Sequence, residues 1–363
     1  QTHRPTNTED RRDQRVRTVV YPSDSHGCGS FRAIWPGQHL AAAGHDVEVV
    51  GPGDRRVRLV MDGHTVRDVL VDADVVVLQR VTHAYMAQAV GVMRAKGITV
   101  IVDVDDDLSC IHPSNPAWEV HRPGRGAHSW HNLALACRSA SLVTVSTPAL
   151  LDVYARHGRG HVLPNVLPDM YYGLERQDSD VVGWPGSYHS HPNDPEVVGG
   201  AVARLVDEGA EFVMRGDPTG AGRAFGLAGD PPGGPVPVEE WPAAVASLGI
   251  GIAPLADTKF NRSKSHLKPL ELSACGVPWV ASPRVEYQRL HAMGAGILAD
   301  RPRTWYREVK RLRESAAMRQ ELSEAGRAVA EQLRMRDHAW RWQEAWMRAV
   351  ELDRATPRTA VEV

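Results

Sequence analysis

The chain has 363 residues, more than one ordinary hydrophobic core accommodates, so its length favours two domains. Its 42 basic and 44 acidic residues give a formal charge of −2, which excludes a strongly basic protein that binds nucleic acid without specificity. A local basic patch remains compatible with these numbers.

Cysteine usage and hydropathy restrict further the class of protein that this chain can belong to. The four cysteines are far apart and form no CxxC pair, so the sequence indicates neither a zinc cluster nor a disulfide framework. No apolar run approaches the roughly 20 residues that cross a bilayer, which predicts no transmembrane segment. Residues 1–15 are polar and are interpreted as a flexible lead-in without an apolar signal core. We therefore expect a cytoplasmic protein.

Strands and helices alternate along the first half of the chain. We predict strands at 16–21, 46–50, 74–78, 99–102, 142–145 and 162–164, and helices at 31–43, 84–95, 132–138 and 148–156. Continuous Val and Ile runs between helices are typical of parallel strands covered on both faces. Thr147 directly precedes the last of these helices and is predicted to be its N-cap.

A loop with two glycines, Gly27 and Gly29, follows the first predicted strand. Glycine at such a position lets the backbone approach a ligand, as in the first turn of dinucleotide-binding units. The loop does not have the GxGxxG spacing, so a plain tight turn explains it equally well.

An acidic turn, VDVDDDL, follows the buried strand at 99–102. Its carboxylates lie where open α/β sheets bind ligands, at the carboxyl end of a parallel strand. Asp105, Asp106 and Asp107 could hold a metal, orient hydroxyl groups or supply a base. The alternative is a solvated acidic loop that caps a helix. The irregular stretch that follows, residues 109–129, is of a length that is usually functional or disordered.

A polar stretch without apolar periodicity, residues 169–180, is predicted to be a linker, and a second alternating unit follows it. Strands are predicted at 181–184, 211–214, 250–253, 279–281 and 296–299. Helices are predicted at 196–207, capped by Asp194, at 239–247 and at 285–292, and further helical segments follow the last strand up to about residue 333. The last predicted helix, 338–354, places Trp342 and Trp346 on one face, a stripe that is more often packing than a ligand platform.

The stretch FNRSKSHLKPLELSACGVPWVAS, residues 260–282, combines a basic loop, a helix start and a carboxylate. A helix start exposes unpaired N–H groups that favour phosphate, and Lys264 and Lys268 add charge beside it. Glu271, one turn further on, could accept hydrogen bonds from a vicinal diol, so a nucleoside diphosphate would satisfy both parts. The alternative is a surface ion pair between Lys268 and Glu271, worth only about 0.2–0.5 kcal/mol.

This stretch, preceded by GIGIAPL, resembles the nucleotide-sugar signature of GT-B glycosyltransferases, nearest to the retaining families acting on hexose donors (glycosyltransferase family 4-like). The segments VGWPGSYHSHPNDP, VSTPALLDVYARHGRGHVLPN and VDVDDDL are similar to other parts of that pattern. The resemblance implies an α/β protein with two Rossmann-like domains facing each other across a cleft. It assigns 16–168 to an acceptor domain, 181–335 to a donor domain, and 336–363 to a helix that crosses back to the first domain.

The resemblance also implies roles for individual residues. Glu271 would bind the ribose hydroxyls of the donor, and Lys264 with Lys268 would neutralise the diphosphate leaving group. Gly186 and Ser187 would line the donor, and Gly27 and Gly29 would let the first loop approach it.

The chain departs from the family pattern at two places. Ser263 stands where an acid is often found, and the usual Arg…Lys pair after the first donor-domain strand is absent. Arg215 or Arg262 would have to compensate for that pair.

The resemblance implies transfer of a sugar from a UDP- or GDP-sugar to an acceptor hydroxyl, with retention and without a required metal or cofactor. Asp105 to Asp107 would contact the acceptor, and Asp107 could act as a catalytic base. The acceptor is left open among a polysaccharide, a metabolite, a protein and a modified DNA base. A DNA acceptor needs a basic path, to which Arg80 and the loop 114–131 could contribute. The competing functions are a non-catalytic binding or scaffold protein and a nucleotide-sugar epimerase, and the sequence does not indicate an oligomeric state.

Overall fold

The computed structural model describes residues 16–51, 54, 56–122 and 129–355. Within this part of the chain, two parallel β-sheets form the centres of two α/β domains, and helices pack against both sheets. The predicted architecture of two Rossmann-like domains is therefore confirmed. None of the described helices has the combined length and apolarity that a membrane crossing requires.

The elements of the first domain follow the predicted alternation, with one addition. They are β1 (Thr18–Tyr21), α1 (Gly27–Gly29), α2 (Trp35–Ala42), β2 (Val47–Val49), β3 (Arg58–Asp62), β4 (Thr65–Leu70), β5 (Val75–Gln79), α3 (Ala84–Ala95), β6 (Thr99–Val104), α4 (Ala117–His121), α5 (Ser129–Ser139), β7 (Leu142–Val145), α6 (Pro148–Tyr154) and β8 (Gly160–Val162). The sheet of parallel strands has the order β2-β1-β5-β6-β7-β8.

The centre of this sheet is apolar on both faces. Every residue of β6 is buried, because helices cover both sides of a parallel sheet. The added hairpin, β3 and β4, is antiparallel and has a register shift between Val60 and Met61. One face of β4 packs on α3 while most side chains of β3 stay exposed. The mixed burial explains why apolar periodicity did not indicate these strands.

The second domain contains a smaller parallel sheet. Its elements are β9 (Val182–Pro185), α7 (Ala201–Asp207), β10 (Phe212–Arg215), α8 (Ala221–Phe225), α9 (Trp241–Ala246), β11 (Ile250–Ala253), α10 (Lys259–Arg262), α11 (Leu267–Ala274), β12 (Trp279–Ala281), α12 (Val285–Ala292), β13 (Ile297–Leu298), α13 (Pro302–Glu314) and α14 (Ala316–Glu331). The strand order is β10-β9-β11-β12-β13. Gly276, with φ of +71°, follows the end of α11, a position where glycine takes the left-handed conformation without strain.

The chain crosses between the domains twice, and the two crossings are hydrogen-bonded to each other. The backbone N–H of Leu167 donates to Leu333, and that of Met335 donates to Leu167, at 3.1 and 2.8 Å. After the second crossing come α15 (Met335–His338) and α16 (Trp340–Ala355). Helix α16 packs against β6, β7 and α2 of the first domain.

The tryptophan stripe of α16 belongs to the core of the first domain. Trp342 and Trp346 are each 1% exposed and pack with Val20 and Ile101 of the sheet. Asp353, further along the helix, pairs with Arg94 at 2.6 Å. The stripe is therefore packing, as its spacing predicts.

Two local predictions are wrong, and a third holds only in part. Gly27 and Gly29 lie in the first turn of a helix and not in a loop. Thr147 occupies the N-cap position of α6, as predicted, but its hydroxyl does not cap the helix and donates instead to the backbone oxygen of Ser263 in the other domain at 2.9 Å. Asp194 caps no long helix; it begins a short 3-10 turn and is buried.

Candidate functional site

Two adjoining cavities lie in the crevice between the domains. The larger has a volume of about 700 Å³ and the smaller of about 190 Å³. Both are lined by Gly27 and Phe31 of the first domain and by His191, Leu267 and Lys268 of the second. The start of α11 therefore stands at the junction of the cavities, where its unpaired N–H groups and positive dipole end favour an anion.

Glu271 lies on the first turns of α11 and lines the larger cavity. It is 4% exposed, and the hydroxyl of Tyr171 and the indole N–H of Trp241 both donate to its Oε1, at 2.7 and 2.8 Å. Among the described residues, Oε2 has no hydrogen-bond partner. Burial raises the pKa of Glu271 to about 7, against the opposing effect of the two hydrogen bonds. One carboxylate oxygen is thus held in place and the other is available to a ligand.

Lys268 contributes to the walls of both cavities. Within the described residues, no carboxylate lies within ion-pair distance of its ammonium. Burial lowers the pKa of Lys268 to about 8, helped by the charge of Lys264. A Cβ on Gly186 would lie 3.0 Å from Lys268 Nζ and 3.1 Å from Trp184 Nε1. Glycine at that position therefore allows the ammonium to lie close to the backbone after β9.

Lys264 is paired across the crevice. Its ammonium lies 2.7 Å from Asp106 Oδ1 of the first domain and 4.5 Å from the ring centroid of Phe260. Burial acts to lower the pKa of Lys264, but Asp106 raises it above its ordinary value. Lys264 is thus a charged group whose partner belongs to the other domain.

Basic side chains neutralise the carboxylates of the acidic turn. Arg80, whose φ of +49° is unusual for a residue with a side chain, binds Asp105 at 2.5 Å and Asp106 at 2.7 Å. Burial acts to raise the pKa of Asp105, but Arg80 lowers it below its ordinary value. The turn is therefore neutralised by Arg80 of the first domain and Lys264 of the second. Across the described residues, no group of three or more His, Cys, Asp or Glu side chains is arranged to hold a metal ion.

Several predicted site residues lie elsewhere. Asp107 is 1% exposed and accepts hydrogen bonds from the backbone and hydroxyl of Ser109, so it caps a short turn and is not placed to act as a base. Arg215 binds Ser247 Oγ at 2.8 Å, and Arg262 is exposed and paired with Asp257. Neither arginine replaces the missing basic pair.

The two glycines of α1 have different surroundings. Gly27 lines both cavities. A Cβ on Gly29 would meet the backbone oxygen of Asp24 at 1.8 Å, so only glycine at this position lets α1 pack against the segment that precedes it. Ser187 lines the larger cavity beside Gly186.

A buried polar network that the sequence analysis missed closes the inner end of the smaller cavity. Arg32, 2% exposed, binds Asp103 through two nitrogens, at 2.7 and 3.0 Å, and donates to Asn165 Oδ1 at 2.9 Å. Asn165 then donates to Ser265 Oγ of the second domain at 2.9 Å. Arg32 lies in an apolar helical stretch, and no sequence signal pointed to its partner 71 positions away.

Two further missed residues, Tyr171 and Trp241, hold Glu271. Tyr171 falls in the predicted linker but is fully buried in the second domain. His191 also lines both cavities and is bound to Asp194 at 2.8 Å. The HxxD spacing of these two residues was a signal that could have been found. Ser263, at the position of the expected acid, is buried and donates to the backbone oxygen of Phe260.

Neither a protein-family model nor a curated protein sequence matches the chain. Solved structures do match. Sucrose-phosphate synthase from Thermosynechococcus elongatus has a TM-score of 0.61 and 14% identity, covering 92% of this chain and 98% of its own. The catalytic domain of starch synthase IV from Arabidopsis thaliana, bound to ADP and acarbose, has a TM-score of 0.62 and 12% identity, covering 93% and 100%. HepE from Anabaena in complex with UDP and glucose has a TM-score of 0.57 and 14% identity, covering 91% and 98%.

These likenesses extend over nearly the whole of each chain, and at such identities they establish architecture. The chain has the GT-B fold, with its two domains on either side of the crevice described above.

Proposed function

We propose, on the premise of the GT-B fold, that this protein is a glycosyltransferase that moves a sugar from a nucleoside-diphosphate sugar to an acceptor hydroxyl. The observation that carries the proposal is the junction of the two cavities. There Lys268 and the start of α11 stand between a buried carboxylate with one available oxygen and a smaller cavity whose lining includes Asp105, Asp106 and Asn165. A nucleotide sugar has the same sequence of parts: a diol, a diphosphate and a hexose.

The donor fits the crevice in one direction. The larger cavity takes the nucleoside, with the ribose hydroxyls on Glu271 Oε2 and the base against the apolar segment 235–238. The diphosphate reaches Lys268 and the N–H groups of α11. The sugar enters the smaller cavity, beside Asp105, Asp106 and Asn165. HepE has been solved in complex with UDP-glucose and starch synthase IV with ADP, and these structures support a nucleotide of this kind.

The proposed chemistry depends on charge at the leaving group. Cleavage of the anomeric C–O bond leaves negative charge on the β-phosphate, and fixed positive groups stabilise that charge more than they stabilise the ground state. Lys268, with a pKa of about 8, is mostly protonated at neutral pH, and no carboxylate of the described part of the chain lies within ion-pair distance of it. Lys264 reaches the same region only in company with Asp106.

Retention through a covalent intermediate would need a free carboxylate nucleophile, and the two aspartates that line the smaller cavity are not free. Asp105 and Asp106 are bound to Arg80 and Lys264, and displacing an aspartate from such pairs costs free energy. We therefore infer that the acceptor hydroxyl attacks from the leaving-group face and that the departing diphosphate takes its proton, a route that requires no protein nucleophile. The same ion pairs support a reaction that needs no metal, because the acidic turn is already neutralised.

The acceptor stays undetermined among the predicted classes. Arg80 offers no excess positive charge to a DNA acceptor, because two aspartates bind it. Part of the basic loop at 114–131, residues 123–128, lies outside the described residues.

The test begins with a thermal-shift screen of UDP, GDP, ADP and dTDP, followed by donor hydrolysis assays with the matching nucleotide sugars. We expect at least one nucleotide to raise the melting temperature and at least one donor to be slowly hydrolysed, with full activity in EDTA. No shift with any nucleotide would refute the proposal. Binding without turnover, with or without added acceptors, would favour the scaffold alternative, which the serine at position 263 allows.

A further inference from the structure

A histidine–aspartate pair stands where the two cavities meet and has no part in the reaction described so far. His191 Nδ1 lies 2.8 Å from Asp194 Oδ2. The other oxygen of Asp194 accepts the backbone N–H of Ala256 at 2.9 Å and the side-chain amide of Asn261 at 2.7 Å. Asp194 is 1% exposed, so the carboxylate is locked and the position of the imidazole is fixed by it.

The hydrogen bond also fixes the tautomer. Burial acts to raise the pKa of Asp194, but His191, Lys268 and the N–H of Ala256 lower it below its ordinary value. An ionised Asp194 requires the hydrogen on Nδ1 of His191. Nε2 then carries a lone pair, and among the described residues it has no hydrogen-bond partner. His191 lines both cavities, so the ring presents a basic nitrogen at the junction.

Burial and the surrounding charges together set the protonation of His191 in the empty crevice. The titratable groups that face these cavities from the second domain are Lys264, Lys268, Glu271 and Tyr287. Those from the first domain are His26, Cys28, Arg32, Asp105, Asp106 and, next to His191 on its outer side, His112. Burial lowers the pKa of His191 to about 4, and Lys268 acts in the same direction, against Asp194.

We propose that His191 belongs to the diphosphate subsite and takes up a proton from solvent when a diphosphate binds there. This inference rests on the proposed function, since the nucleotide sugar brings the diphosphate to the junction. The neutral ring offers a phosphate oxygen only a lone pair, whereas the imidazolium offers an N–H donor while Asp194 balances its charge. The pair thus supplies the positive group that the missing Arg…Lys pair does not, and it supplies it only when the leaving group is present.

The test is titration calorimetry with UDP and with inorganic pyrophosphate at pH 7, each in PIPES and in imidazole buffer. Because these buffers differ in ionisation enthalpy, the difference in observed heat gives the number of protons bound. Pyrophosphate lacks the ribose and so makes no hydroxyl contact with Glu271, and proton changes that are common to all the proteins compared cancel in the difference between them. The variant is His191→Asn, whose amide can still donate to Asp194 but which lacks Nε2. The matched control is His189→Asn, since His189 lies on the same loop and is exposed.

We expect the unmodified protein and the His189→Asn control to take up clearly more protons per ligand than His191→Asn. We also expect pyrophosphate to bind His191→Asn roughly tenfold more weakly at pH 6, with a smaller difference at pH 8. Equal proton uptake and equal affinity in all three proteins would overturn the role of His191 and leave the glycosyltransferase proposal intact. Failure of the unmodified protein to bind pyrophosphate and any of UDP, GDP, ADP and dTDP would overturn both.

Discussion

Replacing Glu271 by Gln should make the empty protein more stable at neutral pH and make it bind nucleotide less well. Gln has an oxygen that can accept the hydrogen bonds from Tyr171 and Trp241, so the substitution removes the charge and keeps the contacts of Oε1. Burial raises the pKa of Glu271 from 4.5 to about 7. The folded protein therefore holds a proton between these pH values that the unfolded chain has released.

The sign and size of the stability difference between the two proteins follow from proton linkage. Where the folded state binds more protons, the free energy of unfolding falls as pH rises. At about 1.4 kcal/mol for each pKa unit, the loss between pH 4.5 and pH 7 is about 3 kcal/mol. Glu271→Gln removes this loss, so the variant should match the unmodified protein near pH 4.5 and exceed it by about 3 kcal/mol at pH 8. UDP should bind the variant roughly 10- to 100-fold more weakly, because hydrogen bonds to a charged group are lost.

The assay is urea unfolding of both proteins at pH 5 and at pH 8, together with UDP titration at pH 8. Tyr171→Phe is the control, since it removes one hydrogen bond that stabilises the carboxylate and should steepen the dependence on pH. Unfolding free energies of the unmodified protein and Glu271→Gln that run parallel from pH 5 to pH 8 would refute the buried-carboxylate reasoning.

The other predictions concern the junction of the cavities. Lys268→Gln should weaken UDP binding by roughly 10- to 100-fold. Lys264→Ala should reduce turnover far more than it weakens UDP binding, because Lys264 is expected to help neutralise the diphosphate leaving group. A change confined to the Michaelis constant of Lys264→Ala would contradict that role at the leaving group. Gly186→Ala should displace the ammonium of Lys268 and weaken UDP binding while circular dichroism stays unchanged, and tight binding by this variant would place the diphosphate elsewhere. Asp106→Asn should cost about 3 kcal/mol of stability, because Lys264 loses its carboxylate partner whereas Arg80 keeps Asp105. Urea unfolding measures this cost, and a loss below about 1 kcal/mol would show that the pair with Lys264 is solvated.

Local signals in the sequence were sufficient to predict most of the sheet. Buried runs of Val and Ile gave the strands at 142–145, 250–253 and 279–281 at their observed bounds. The β3–β4 hairpin was missed because half of its side chains stay in solvent and its pairing has a register shift. Such strands have no clear alternation to detect.

The candidate site could be predicted only where its residues are neighbours in the sequence. The stretch around Glu271 combined a helix start with charges in one segment, and the structure places Lys268 and Glu271 in the crevice. The network of Arg32, Asp103 and Asn165 could not be inferred, because its members come from three distant segments that only the fold brings together. Asp107 was misassigned for the converse reason, since neighbouring aspartates on one turn point in different directions.

The return of helix α16 onto the first domain affects how the protein matures during translation. Domains generally fold in the order in which they leave the ribosome. Here the first domain lacks Trp342 and Trp346 until the second domain has been synthesised, and the apolar surface around Val20 and Ile101 stays uncovered until then. A nascent chain stalled before position 340 would expose that surface to chaperones even though its amino-terminal sheet is complete in sequence. Supplying the missing helix as a separate peptide should rescue such a fragment.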